Sequence, residues 1–219
     1  MFGQGFTLVA GLDEAGRGPI AGPVVAGVAV LPQDLNGEWV SLLRDSKQMT
    51  EAEREEAYGH LERHAVGIGA GVGTTSEIDS KGIVSATRLA MSRALKQLPF
   101  KPEFLLLDAF PLPGVNIRQK AIVHGDALCL SIAAASIVAK VTRDRMMLLA
   151  DAEFPMYGFA SHKGYASEKH MAALADHGPC SLHRFSFEPV YTIHRTLGIA
   201  PPHPIREKPK QSGFTMAVE

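Results

Sequence analysis

Two adjacent carboxylates, Asp13 and Glu14, follow a short apolar run and open into a loop that carries Gly16, Gly18 and Gly22 around Arg17, Pro19 and Pro23. An apolar run closed by an acid recurs at Asp108, after FLLL, and at Asp126, after residues 116–123. Asp13, Glu14, Asp108 and Asp126 offer oxygen donors only, with no cysteine or histidine grouping beside them. Such a set suits Mg²⁺ or Mn²⁺ better than zinc. Carboxylates crowded without a cation repel one another and lose hydration, so the grouping makes sense only with metal ions. Two divalent ions roughly 4 Å apart clamp the attacking water and the leaving oxygen of an in-line displacement at phosphorus. The expected chemistry is phosphodiester hydrolysis. Asp126 also has the place of an N-cap for the helix that follows it, a role the same carboxylate fills.

The acids need strands to deliver them, because ligands of open α/β sheets gather at the carboxyl ends of strands. Successive strand residues point to opposite faces, so the first strand is expected to end at about Asp13 if Glu14 is to share its site. Residues 24–31 read as a strand covered on both faces, and residues 65–74 as a glycine-thinned third strand that completes an antiparallel meander. Thr50 and Glu53 have the spacing of a capping box for a charged helix to about His64. Apolar spacing predicts one amphipathic helix over residues 78–98, with Arg88, Arg93 and Lys96 facing water. Further strands are expected at 104–108 and 116–123, then a long alanine-rich helix from about Asp126 to residue 154. Ser136, Lys140, Arg143 and Met147 share one stripe of that helix, and Asp144 lies where it can pair with Lys140. Ser167 is placed to cap a short helix to about Gly178. The fold class is α/β.

The 219 residues are 46% hydrophobic and 21% charged, the balance of an ordinary globular chain. A formal net charge of −1 gives no global sign of a nucleic-acid binder, so contact with a polyanion must rest on local Lys and Arg or on metal ions. Six of the nine histidines follow residue 160, interleaved with Lys163, Lys169, Arg184 and Arg195, which makes this the most nucleic-acid-like part of the chain. Cys129 and Cys180 lack metal-site spacing and read as idle thiols. With no signal peptide or membrane span, a cytoplasmic location is expected. The proline-rich polar stretch 199–219 reads as a flexible tail.

The block GLDEAGRGPIAGPVVAG closely resembles the signature of ribonuclease HII. Two further blocks, SIAAASIVAKVTRD and HKGYASEKH, are similar to the same family, as is the short element Asp45-Ser46-Lys47. The resemblance implies a ribonuclease H-like mixed sheet flanked by helices, with a catalytic domain over 1–155 and a small C-terminal helical extension over 156–198. It implies an endonuclease that cuts the RNA strand of RNA/DNA hybrids and nicks DNA 5′ of embedded ribonucleotides, leaving a 3′ hydroxyl and a 5′ phosphate. All four acids would be catalytic and would hold two Mg²⁺ or Mn²⁺ ions. Gly16, Arg17 and Gly18 would approach the 2′-hydroxyl, while Lys47, Ser136 and Lys140 would contact phosphates and Tyr165 would stack beside the cut. The residues alone leave other roles open: a solvated Lys47, an ion-paired Arg17 and a packed Tyr165. The partners implied are an RNA/DNA hybrid and a DNA duplex with an embedded ribonucleotide, met by a monomer; docking on a replication clamp stays open. The glycine-arginine-glycine block and a start close to the first strand favour type II over the sister type III. Another metal-dependent nuclease or resolvase on the same fold, or a non-catalytic hybrid-binding module, remains the competing reading.

Overall fold

The computed structural model describes residues 5–206; residues 207–219 of the expected tail lie outside the described residues. Five strands, β1 (Val9–Ala15), β2 (Val24–Val30), β3 (Gly67–Gly73), β4 (Phe104–Asp108) and β5 (Arg118–Ile122), form one sheet in the order β3-β2-β1-β4-β5. The first three run antiparallel, as the meander reading expects, and β1, β4 and β5 are parallel. This is an α/β fold with a mixed sheet. All seven residues of β2 are buried because helices cover both its faces. Ala26, Val28 and Val30 join Leu12, Leu105 and Leu107 beneath α3 (Ile83–Leu95), through Met91. Ala29 packs on the other side against Ala135 and Ile137 of α5 (Leu130–Glu153), flanked by Leu61 of α1 (Glu51–His64).

Three local expectations are corrected. The first strand does not end at Asp13. Pairing with β4 stops at Leu12 opposite Leu107, whereas pairing with β2 continues to Ala15 opposite Val25. Asp13 and Glu14 therefore remain in the strand past its pairing with the parallel neighbour, and both line one cleft. The helix expected over 78–98 is two helices, α2 (Thr75–Lys81) and α3. Gly82, at φ +82°, ends one and starts the other, and Thr74 forms an unanticipated capping box with Glu77. Arg93 does not merely face water, since its guanidinium donates to both Glu77 carboxylate oxygens at 2.7 Å. The third correction concerns the long helix. It starts at Leu130, after an extended Cys129 separates it from the short α4 (Gly125–Leu128), so Asp126 lies in the first turn of α4 and does not cap α5. The capping box of Thr50 and Glu53 on α1 forms as expected.

The C-terminal helices, α6 (Phe159–His162), α7 (Glu168–His177) and α8 (Val190–Thr196), pack onto the glycine loop after β1: Ile20 meets Leu174, Phe185 and Val190, while Ala21 meets Met147, Tyr157 and Phe159. Buried Asp79 of α2 accepts from the Phe185 and Ser186 amides, each at 2.9 Å, and from His203 Nε2 at 2.7 Å. Arg206 N donates to the Asp79 carbonyl at 2.8 Å. Both cysteines are free and partly buried. No described helix is long and apolar enough to cross a membrane.

The glycines of β1 and β2 let α5 lie directly on the sheet. A Cβ added at Gly27 would stand 2.1 Å from the Ala135 carbonyl oxygen, part of a helix backbone that cannot swing aside. Gly27→Ala is expected to lower stability by about 2–3 kcal/mol through overpacking, measured as a reduced midpoint in urea; an unchanged midpoint would mean that α5 sits further from the sheet.

Candidate active site

The parallel pairing of β1 and β4 brings their carboxyl ends together, and with them Asp13 and Asp108. Asp13, Glu14, Gly16, Arg17, Gly18, Lys47, Asp108, Lys140, Arg143 and Tyr165 line one cleft of about 340 Å³. Asp126 lines the adjoining pocket and reaches the cleft through Lys47, whose Nζ lies 3.1 Å from its Oδ2. Asp108 Oδ1 accepts from the Gly125 amide at 2.8 Å, which ties the end of β4 to the start of α4. Ser136 is not brought to the cleft. It is 3% exposed, and its hydroxyl donates to the Ala133 carbonyl at 3.0 Å, the local bond that a helical serine commonly makes.

Burial and repulsion set the electrostatics. Asp13, 3% exposed, has its carboxyl pKa pushed well above the usual range, first by burial and then by the charges of Glu14 and Asp108. Burial likewise raises Glu14, against the opposing charge and 3.2 Å hydrogen bond of Arg17. Burial works against the charge on Lys47, but its hydrogen bond to Asp126 and the surrounding carboxylates hold its pKa above the ordinary ammonium value. Lys140 is lowered by burial and partly restored by Asp144, whose Oδ1 lies 2.7 Å away, so the expected pair forms. Asp144 also lies 3.5 Å from Arg54, which donates to the Ser46 and Met49 carbonyls and so secures the turn that carries Lys47.

The donor chemistry fits divalent cations. Glu14 Oε2 is buried with no hydrogen-bond partner, an acceptor left for something with positive charge. Among the described residues no three His, Cys, Asp or Glu side chains stand in ready ligand geometry for one ion. In this state Asp126 is engaged by Lys47, and Asp108 by the Gly125 amide.

Arg17, Gly18 and Tyr165 form a ledge beside the acids. Arg17 stacks over Phe110, 5.3 Å from guanidinium carbon to ring centre. Tyr165 is 51% exposed and flanks Gly18. The Gly164 carbonyl accepts from the amides of Ile20 and Ala21 at 3.0 and 3.3 Å, so the tyrosine and glycine loops form one body. Sequence reasoning missed the groups behind this ledge. Arg184 and three of the C-terminal histidines, grouped above with a nucleic-acid-like surface, turn inward: Arg184, His170 and His183 are wholly buried and His194 nearly so. The Cys180 amide donates to His183 Nδ1, so His183 Nε2 donates to His170 Nε2 at 3.0 Å, and His170 Nδ1 donates to the Tyr165 carbonyl at 2.8 Å. Burial holds His170 down to about 4 and His183 to about 3, which keeps both rings neutral.

The family model for ribonuclease HII matches residues 10–190. The chain belongs to the ribonuclease HII family. A ribonuclease HII of Dehalococcoides mccartyi is 51% identical over 187 residues, covering 85% of this chain and 88% of that one. The crystal structure of ribonuclease H2 from Pyrococcus horikoshii OT3 is similar at a TM-score of 0.72 and 28% identity, over 87% of this chain and 99% of that one. The fold is also that of Bst-RNase HIII in complex with Mn²⁺, at a TM-score of 0.61 and 15% identity, over 86% of this chain and 70% of that one. As a ribonuclease HII family member, the chain is a hydrolytic endoribonuclease of the ribonuclease H type, and the family is metal-dependent.

The crowding of the acids has a thermodynamic signature. Since Asp13 has a raised pKa in the folded state, the unfolded chain releases that proton first as pH rises, and folded stability falls through the interval between the two values. Asp13→Asn removes this penalty. In EDTA the variant is expected to exceed the parent in stability at neutral pH by on the order of 1 kcal/mol, the scale of one pKa unit. The difference should fade below about pH 4, where Asp13 is protonated in both states. Urea titrations across that range check it, and added Mg²⁺ should then stabilise the parent more than the variant.

Proposed function

We propose that this chain hydrolyses the RNA strand of RNA/DNA hybrids and nicks duplex DNA on the 5′ side of an embedded ribonucleotide, leaving a 3′ hydroxyl and a 5′ phosphate. The observation that carries the reading is that Asp13, Glu14 and Asp108 share one cleft with the exposed Arg17-Gly18 backbone and the half-exposed Tyr165. A nuclease that sorts sugars needs acids for the phosphate and a close-fitting surface for the hydroxyl within the span of one nucleotide.

In this scheme Asp13, Glu14, Asp108 and Asp126 hold two Mg²⁺ or Mn²⁺ ions. Ions held there would supply positive charge beside a phosphate and lower the pKa of a bound water. Gly16 and Gly18 bear no side chain to block the sugar, so the backbone between them can meet the 2′-hydroxyl, the group that separates RNA from DNA. Gly16 also needs its φ of +92°, and a Cβ there would strike Arg143. Lys47 and Lys140 contact phosphates and fix the duplex without reading sequence. The Tyr165 ring stacks against the sugar beside the cut. Every group comes from one chain, so a monomer suffices.

Incubation with a duplex containing one ribonucleotide and with the matching all-DNA duplex tests the reading: cutting is expected only in the first, and equal cutting would refute it. Asp13→Asn and Asp126→Asn should keep hybrid binding but lose cleavage by roughly a thousandfold, the upper range for removing one group that stabilises developing charge. Wild-type rates in either variant would remove its acid from the scheme. Tyr165→Ala should slow cleavage at an RNA/DNA junction more than it weakens binding, as seen by comparing cleavage rates with dissociation constants.

A further inference from the structure

The loop after β1 has its carbonyls drawn inward by two buried arginines from distant parts of the chain. Arg184 donates Nε to the Gly22 carbonyl at 2.9 Å, Nη1 to Arg17 at 2.9 Å and Nη2 to Gly16 at 2.5 Å. Arg143 of α5 donates Nε to Pro23 at 2.9 Å and Nη2 to Ala21 at 3.2 Å. Arg184 is 0% exposed, and burial together with the charge of Arg143 pulls its pKa down to about 9. Two like charges held together out of water oppose folding, and an apolar side chain would fill the space more cheaply. What an apolar side chain cannot supply is direction.

A trans peptide is planar, with its C=O and N–H on opposite sides. The Gly16 carbonyl shares a peptide plane with the Arg17 amide, and the Arg17 carbonyl shares one with the Gly18 amide. When Arg184 turns both carbonyls inward, both amides must face outward. Arg17 and Gly18 are exposed beside the cleft, and their amides have no backbone acceptor among the described residues. From this geometry we propose that Arg184 is a positioning residue for sugar recognition, fixing two consecutive peptide planes so that the Arg17 and Gly18 amides form a paired donor for an oxygen of the ribose. The inference rests on the ribonucleotide reading above and gives that reading its mechanical basis. It also requires arginine, because an ammonium cannot span three carbonyls with a planar fork.

The test compares Arg184→Lys with Phe185→Leu, a neighbouring buried change that costs stability without touching the loop carbonyls. On the duplex with one ribonucleotide, Arg184→Lys is expected to lower kcat by about a hundredfold with little change in KM, the pattern for a donor that acts in the transition state. Phe185→Leu should keep kcat even where its thermal midpoint falls as far. A second measurement does not depend on the variant folding. In EDTA, the Arg17 and Gly18 amide resonances of the wild-type protein should shift on adding the ribonucleotide duplex and not on adding the all-DNA duplex. Selective cutting by the wild type, combined with a normal kcat in Arg184→Lys or with amides that respond alike to both duplexes, would overturn the role of Arg184 and leave the ribonucleotide reading standing. Equal cutting of both duplexes by the wild type would fail that reading and take this inference with it.

Discussion

The constraint behind this structure is mutual repulsion among carboxylates that the sheet forces together. Asp108 ends β4, and Asp13 and Glu14 lie in β1 just past its last pairing with that strand, so three acids share an edge that burial dries. Each nearby element tempers the cost. The Gly125 amide bonds Asp108, Arg17 leans on Glu14, and Lys47 stands between Asp126 and the rest. None of these neutralises the group, and Glu14 Oε2 keeps no partner at all. Crowded carboxylates with an unmet acceptor are a donor set that fits hard cations.

The scaffold around the acids is built for close approach. Glycine in β1 and β2 and alanine in α5 bring helix and sheet backbones almost into contact, so the basic residues of α5 arrive at the same edge. From the other side, the Gly164 carbonyl and the chain of imidazoles ending on the Tyr165 carbonyl join the C-terminal region to the glycine loop. Ion pairs between Arg145 and Glu55, and between Arg54 and Asp144, fasten α1 across α5. A position more than a hundred residues away in sequence thus governs the surface beside Gly18.

Much of this was legible in the sequence because burial leaves a periodic trace. The strand at Phe104–Asp108 and the cap at Thr50 stand where apolar runs and capping chemistry put them. Periodicity alone could not see Gly82 interrupt a helix whose apolar spacing continues on both sides of it. Alternation along a strand argued against Glu14 joining Asp13, since the early end of β4 is a property of the neighbour and not of the strand itself. Arg184 was unreadable for a deeper reason: its partners are carbonyl oxygens, which every residue possesses and no side-chain pattern marks. The histidines misled similarly, because rings that look like a polar surface instead settle against Tyr157 and Phe159.

The order in which the parts exist follows from where the arginine lies. Asp13, Glu14, Asp108, Asp126 and all five described strands precede residue 130, whereas the side chain that bonds the loop carbonyls lies at residue 184. During synthesis, which proceeds from the N-terminus, the strands that carry the acids are made before the side chain that supports the glycine loop. The proposed discrimination between sugars would then be the last property the nascent polypeptide acquires.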